Sequence, residues 1–210
     1  MTDDEAPPSP ADSLRMIQTE QASAVRMIRP DPRLLFWPWG VAWLIGFGLL
    51  FLRFGPDDRV TVAMPDWLPL TVLYVLMGIA FVVTGWAGAR VNRHIAGTSQ
   101  RQGLYYGLAW FAAYFTVGVA AGRVSDLLPA DEVGLLWAGL SIGVVGVLYI
   151  AGAAIWQSRD MFLLGAWLTV TNVIGVIVGP GWHSLIAAIA GGGGLLVAGF
   201  IQWLGLRREA

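Results

Sequence analysis

Apolar residues run nearly unbroken through six stretches of this chain, near residues 34–52, 68–89, 103–122, 134–156, 161–179 and 184–205, and polar residues collect between them. Each run is about long enough to cross a hydrocarbon core of about 30 Å at about 1.5 Å per residue. The pattern predicts an all-α, polytopic integral membrane protein whose six transmembrane helices form three antiparallel hairpins. The transmembrane domain is expected over residues 34–206, with a short cytoplasmic tail at 207–210.

The last hairpin, Met161 to Leu206, is the most informative. Two apolar runs flank PGWHS, a connection short enough to demand a tight turn. Gly165, Thr169, Asn172, Gly175 and Gly179 fall at four- and three-residue spacing and so share one face. Leu163, Leu164, Leu168, Val170 and Ile177 fall largely on the other side. A small and polar stripe is expected to face protein and the leucine-rich side lipid. Gly191, Gly192, Gly193 and Gly194 sit in the second run at about the depth of Asn172. An amide in hydrocarbon must find partners, because leaving it unpaired costs several kcal/mol. Asn172 is therefore expected to face the bundle, either as interhelical glue or lining a small cavity with Thr169 and the four glycines. The glycine run is expected to be a thin, tightly packed helix or a break beside that cavity.

The residues before the first run behave differently. Residues 1–11 are acidic and proline-rich and are expected to be disordered. Over 12–30, Leu14, Ile17, Ala24, Val25 and Ile28 make a rough apolar stripe behind a cap at Asp12 or Ser13. An amphipathic helix at the cytoplasmic membrane surface, or one that docks a partner, is expected there. Asp3, Asp4 and Glu5 argue against a cleavable signal peptide.

Composition narrows the chemistry. The chain has 210 residues, 56% of them hydrophobic and 13% charged, and a mean hydropathy of +0.63. The net charge of −1 offers no basic excess for nucleic acid. There is no Cys, which removes disulfides and thiolate metal sites, and all thirteen basic residues are Arg, as a GC-rich bacterial genome would favour. No Asp, Glu, Arg or His lies within a predicted span, which disfavours proton coupling through a buried carboxylate. His94 and His183 fall in connections on opposite sides of the membrane. Each reads as a solvated loop residue, and no metal or cofactor site and no catalytic constellation is expected. Gly-x-x-x-Gly pairs at 118/122, 139/143 and 175/179 predict close helix contacts. The odd helices share a Trp at 43, 110 and 167, and the even ones end in Trp then Arg: Trp86 with Arg90, Trp156 with Arg159 and Trp203 with Arg207. Aromatic and arginine anchoring at the inner interface accounts for this better than a triplicated hairpin. Arg90, Arg93 and Arg101, around the longest inner connection, could contact acidic lipid headgroups or an ATPase partner.

These features suit a small transporter, or the membrane subunit of one, handling a largely uncharged molecule with a separate ATPase. The alternative is a non-transporting anchor, assembly or regulatory protein that holds a cytoplasmic partner. The expected location is a bacterial cytoplasmic membrane, and the oligomeric state is open. Arginine sets the orientation: with the N-terminus inside, ten arginines lie on the cytoplasmic side, and only Arg53, Arg59 and Arg123 lie outside. Both termini should then be cytoplasmic. Reporter fusions at Ala210 and Asp57 should report opposite sides of the membrane; the same side for both would exclude six spans in this orientation.

Overall fold

The structure, a computed structural model, describes residues 9–16, 31–92 and 98–208. Met1–Pro30 and Asp31–Ala210 are two compact units. In the first, residues 10–16 are helical, and the Ser9 hydroxyl accepts from the Asp12 amide at 3.2 Å. The cap therefore lies at Ser9, upstream of the expected Asp12 or Ser13. The rest of the expected amphipathic helix, Arg93 and His94 lie outside the described residues.

The second unit is helical, with no strand among the described residues. Its long helices are α1 Pro32–Arg53, α2 Trp67–Asn92, α3 Thr98–Ser125, α4 Ala130–Trp156, α5 Arg159–Val178 and α6 Trp182–Arg208. All six are long and apolar enough to cross a membrane. Local chemistry sets their ends. Asp31 caps α1, its carboxylate accepting from the Arg33 amide at 2.9 Å and from the Arg33 guanidinium at 2.7 Å. Pro32 follows at the first helical position, where its missing N–H costs nothing. Hydrogen bonds from Arg33 hold the Asp31 carboxyl below the usual carboxylate range. Arg53 at the far end of α1 donates to the Met64 carbonyl at 3.0 Å and pairs with Asp66, clasping the connection to α2. Ser158 caps α5 by accepting from the Met161 amide. Gly179 and Gly181 both have positive φ and close the turn into α6.

Packing does not divide the helices into three hairpins. Among the described residues the most extensive interface joins α1 to α6 and the next joins α4 to α5, both between expected hairpins. Helices α1, α6, α5 and α4 pack in that order, and Phe36 of α1 meets Tyr149 of α4 with ring centroids 6.4 Å apart. These four supply most of the core, in which Trp43, Phe47, Ile142, Leu164, Leu168 and Leu195 are buried, and α2 adds Leu73. Helix α2 packs on α1 and α3 on α4. Only 11% of the apolar window of α3 is buried, against 33% in α1 and α6. The outer helices therefore show most of their apolar surface to their surroundings, as lipid contact requires.

The α5 expectation needs one correction. Leu163, Val170 and Ile177 are exposed, but Leu164 and Leu168 are buried in the core. Helix α5 lies between α4 and α6, so protein covers a wider arc than the small and polar stripe alone.

Glycine sets the closest approaches. A Cβ at Gly146 would clash with Thr169, and one at Gly165 would lie 2.8 Å from the Gly146 carbonyl oxygen. Between α1 and α6, a Cβ at Gly192 would lie 2.6 Å from the Leu44 nitrogen and 2.8 Å from the Gly40 carbonyl oxygen. Backbone cannot yield as a side-chain tip can. Gly192→Val should therefore destabilise the protein by about 1–3 kcal/mol. Gly193→Ala, where a Cβ meets nothing within 4 Å, should be neutral or slightly stabilising. Thermal unfolding of the two variants in one detergent checks the contrast.

Candidate functional site

The polar centre of the bundle is built by α4, α5 and α6. Asn172 on α5 is buried, and its Nδ2 donates to the Gly139 carbonyl of α4 at 2.8 Å. Gly143 makes room for this, since a Cβ there would come within 3.4 Å of the amide nitrogen. The Gly139/Gly143 pair thus admits a side chain rather than a second backbone. The other end of the amide meets His183 Nε2 of α6 at 2.9 Å. A carbonyl oxygen only accepts, so Gly139 places the amide nitrogen on its own side and turns Oδ1 toward the imidazole. His183 must then carry its proton on Nε2 and donate to Asn172.

His183 is not a solvated loop residue; only 3% of its surface is exposed. The turn is shorter than expected, and α6 begins at Trp182, so His183 lies in the first helical turn. Its ring packs on Gly175, where a Cβ would lie 2.7 Å from His183 Cδ2. The loop between α1 and α2 seals the turn above it, with Gly55 and Pro56 against Gly181. Phe51 also meets Trp182, with centroids 6.0 Å apart. The signal in the sequence is Pro180-Gly181, which turns the chain in so few residues that Trp182 and His183 must already be helical. The side-chain-free Gly175 opposite completes it.

Beside the pair lies a void of about 10 Å³, lined by Trp43, Ile142, Thr171, Asn172, His183, Ile186, Ala187 and Gly191. Helices α1, α4, α5 and α6 all contribute to it. The volume is at the threshold of about 10–15 Å³ needed for one water. Gly191 allows Trp43 in, because a Cβ there would lie 2.9 Å from the indole.

The expected cavity set is only partly brought together. Asn172 and Gly191 line the void. Thr169 does not: it packs on Gly146, and its hydroxyl donates to the Gly165 carbonyl of its own helix at 2.8 Å. Thr171 lines the void instead. Gly192 faces α1, Gly194 faces Trp167, and Gly193 meets nothing within 4 Å. Residues Ala187–Gly192 form a π-helical stretch, and α-helix resumes at Gly193. The glycine run is therefore tightly packed on α1 and irregular at once. Trp167 Nε1 donates to the Ala190 carbonyl at 2.9 Å, satisfying acceptor capacity in the widened turn. No buried side-chain nitrogen or oxygen among the described residues lacks a partner.

Of the arginines expected on the cytoplasmic side, Arg33, Arg90 and Arg207 lie against indoles. Arg90 stacks over Trp86 at 3.8 Å, and Arg101 is exposed on α3. Arg207 stacks over Trp203 at 4.0 Å. Trp156 instead meets Tyr106 edge-on at 4.8 Å.

The arrangement gives Asn172 and His183 one shared bond. Truncating either leaves the other partly unpaired in the core. Asn172→Leu and His183→Leu should each lower stability in detergent by about 0.6–2 kcal/mol. The double variant should lose clearly less than the two single losses together. Full additivity in thermal unfolding would show that the pair is not energetically coupled.

Comparison with protein-family models, with curated proteins and with solved structures finds no match to this chain.

Proposed function

We propose that this chain is a non-transporting membrane protein, an anchor, assembly or regulatory subunit that holds a partner at the bacterial cytoplasmic membrane. One observation carries the reading. Asn172 spends its donor on Gly139 and its acceptor on His183, and the void beside it is about 10 Å³. A solute site keeps polar groups available for its ligand and encloses a few hundred Å³. Here the polar groups are committed to each other, as in interhelical glue. The six apolar helices provide a stable membrane platform, and most of α2 and α3 is left to face lipid or protein. The partner, its cytoplasmic side and the placement of both termini inside belong to this proposal.

A second reading, a transporter of a small uncharged molecule with a separate ATPase, draws support from the π-helical stretch at Ala187–Gly192. Such turns are often found at functional sites, where the local hydrogen-bond ladder can be rearranged. Reconstitution separates the two. Liposomes carrying the protein should swell in glycerol, urea and erythritol at the rate of empty liposomes. Faster entry that is lost in Asn172→Leu would replace the anchor reading with the transporter.

A further inference from the structure

The second candidate site lies away from the core, at the end of the bundle where α1 begins. Arg33 stands in the first turn of α1. Asp31 takes its Nε and Nη2 at 3.1 and 2.7 Å, which leaves Nη1 directed away from that carboxylate. The Arg33 guanidinium carbon lies 5.0 Å from the Trp203 ring centroid and 6.0 Å from that of Trp37. Arg207 lies 4.0 Å from the same Trp203 ring. The two cations are thus no farther apart than their two distances to that indole combined. Stacking on indole holds both at the level where aromatic belts meet headgroups. Asp31 neutralises one of the pair, so the cluster keeps one net positive charge.

Arg33 and Asp31 also form the mouth of an open groove of about 480 Å³ between α1 and α2. Its walls are apolar, with Trp37 and Val41 on α1 and Leu76 and Ile79 on α2. Val41 is eight residues below Arg33, so the apolar wall runs about 12 Å from the ionic mouth toward the hydrocarbon. Its volume is within the range of about 300–1,000 Å³ typical of small-molecule sites. A groove that is ionic at one end and apolar along its length fits an amphiphile. The occupant must be anionic at its head, because the local charge is positive and Asp31 is already committed to Arg33.

We infer that this groove holds one anionic phospholipid of the phosphatidylglycerol type. Its phosphate meets Arg33 at Nη1 and lies in the field of Arg207. The N-terminal end of α1 adds its positive dipole. One acyl chain lies along Trp37, Val41, Leu76 and Ile79. Arginine suits the role because its planar fork offers further donors after one edge is taken by a carboxylate.

Native mass spectrometry of the full chain, released from detergent with equimolar phosphatidylglycerol, phosphatidylethanolamine and phosphatidylcholine, tests this. Phosphatidylglycerol should be retained about fivefold over phosphatidylcholine, and Arg33→Gln should abolish that preference. Arg207→Gln leaves the Asp31–Arg33 cap intact and should weaken the preference by a smaller factor. Val41→Trp, which fills the groove, should remove the retained lipid while both arginines remain. Arg59→Gln, outside the groove, should change nothing. Equal retention of the three lipids by the wild-type protein overturns the site. A preference that survives Arg33→Gln, or lipid retained undiminished in Val41→Trp, overturns it as well.

Discussion

One buried amide holds this bundle in register. In hydrocarbon no water can take up an unpaired donor or acceptor. Asn172 must therefore be paired at both ends, and it is, to the Gly139 carbonyl on one side and to His183 on the other. A slide of either neighbouring helix by one turn, about 5.4 Å, would break one bond and leave a polar group orphaned. The bond to Gly139 acts across α4 and α5, one of the two most extensive interfaces among the described residues. The bond from His183 draws the start of α6 beneath the turn that closes over it.

Hydrophobicity cannot select these contacts, because lipid is as apolar as the side chains it would replace. Shape and hydrogen bonding do so instead. Glycines 139, 143 and 146 lower the surface of α4 where Val176, Asn172 and Thr169 approach, in an antiparallel sequence of contacts. Gly192 does the same where α6 crosses α1. Helix α3 has few buried positions and is tied to α4 by ring donors: Tyr106 donates to the Leu148 carbonyl at 2.7 Å, and Trp137 donates to the Ser125 hydroxyl at 2.9 Å. The threonines add little between helices; Thr71, Thr84, Thr116, Thr169 and Thr171 each donate to a carbonyl of their own helix.

The functional reading rests on this division. Polar capacity in the core is spent on holding helices together, which suits a rigid membrane subunit. Unspent capacity lies at the interfacial end, where arginines stack on indoles beside an apolar groove. There the chain has groups available to recognise something other than itself.

The number of spans and their rough limits were decided by sequence alone, since crossing a bilayer requires long apolar runs whatever the neighbours are. The inward face of Asn172 was also readable, because an amide has no acceptable place in lipid. The burial of Leu164 and Leu168 was not, since it depends on how wide an arc of α5 its neighbours cover. Nor was the split of the glycine run into Gly191 beside the void, Gly192 against α1 and Gly194 against Trp167; one helical turn points successive residues at different partners. His183 shows the boundary most clearly. Its identity as one of only two histidines was in the sequence. Its role was decided by a tight turn and the space above Gly175, which bring an imidazole from α6 to an amide on α5. Periodicity reports which faces are apolar, but only tertiary packing decides which two polar groups meet.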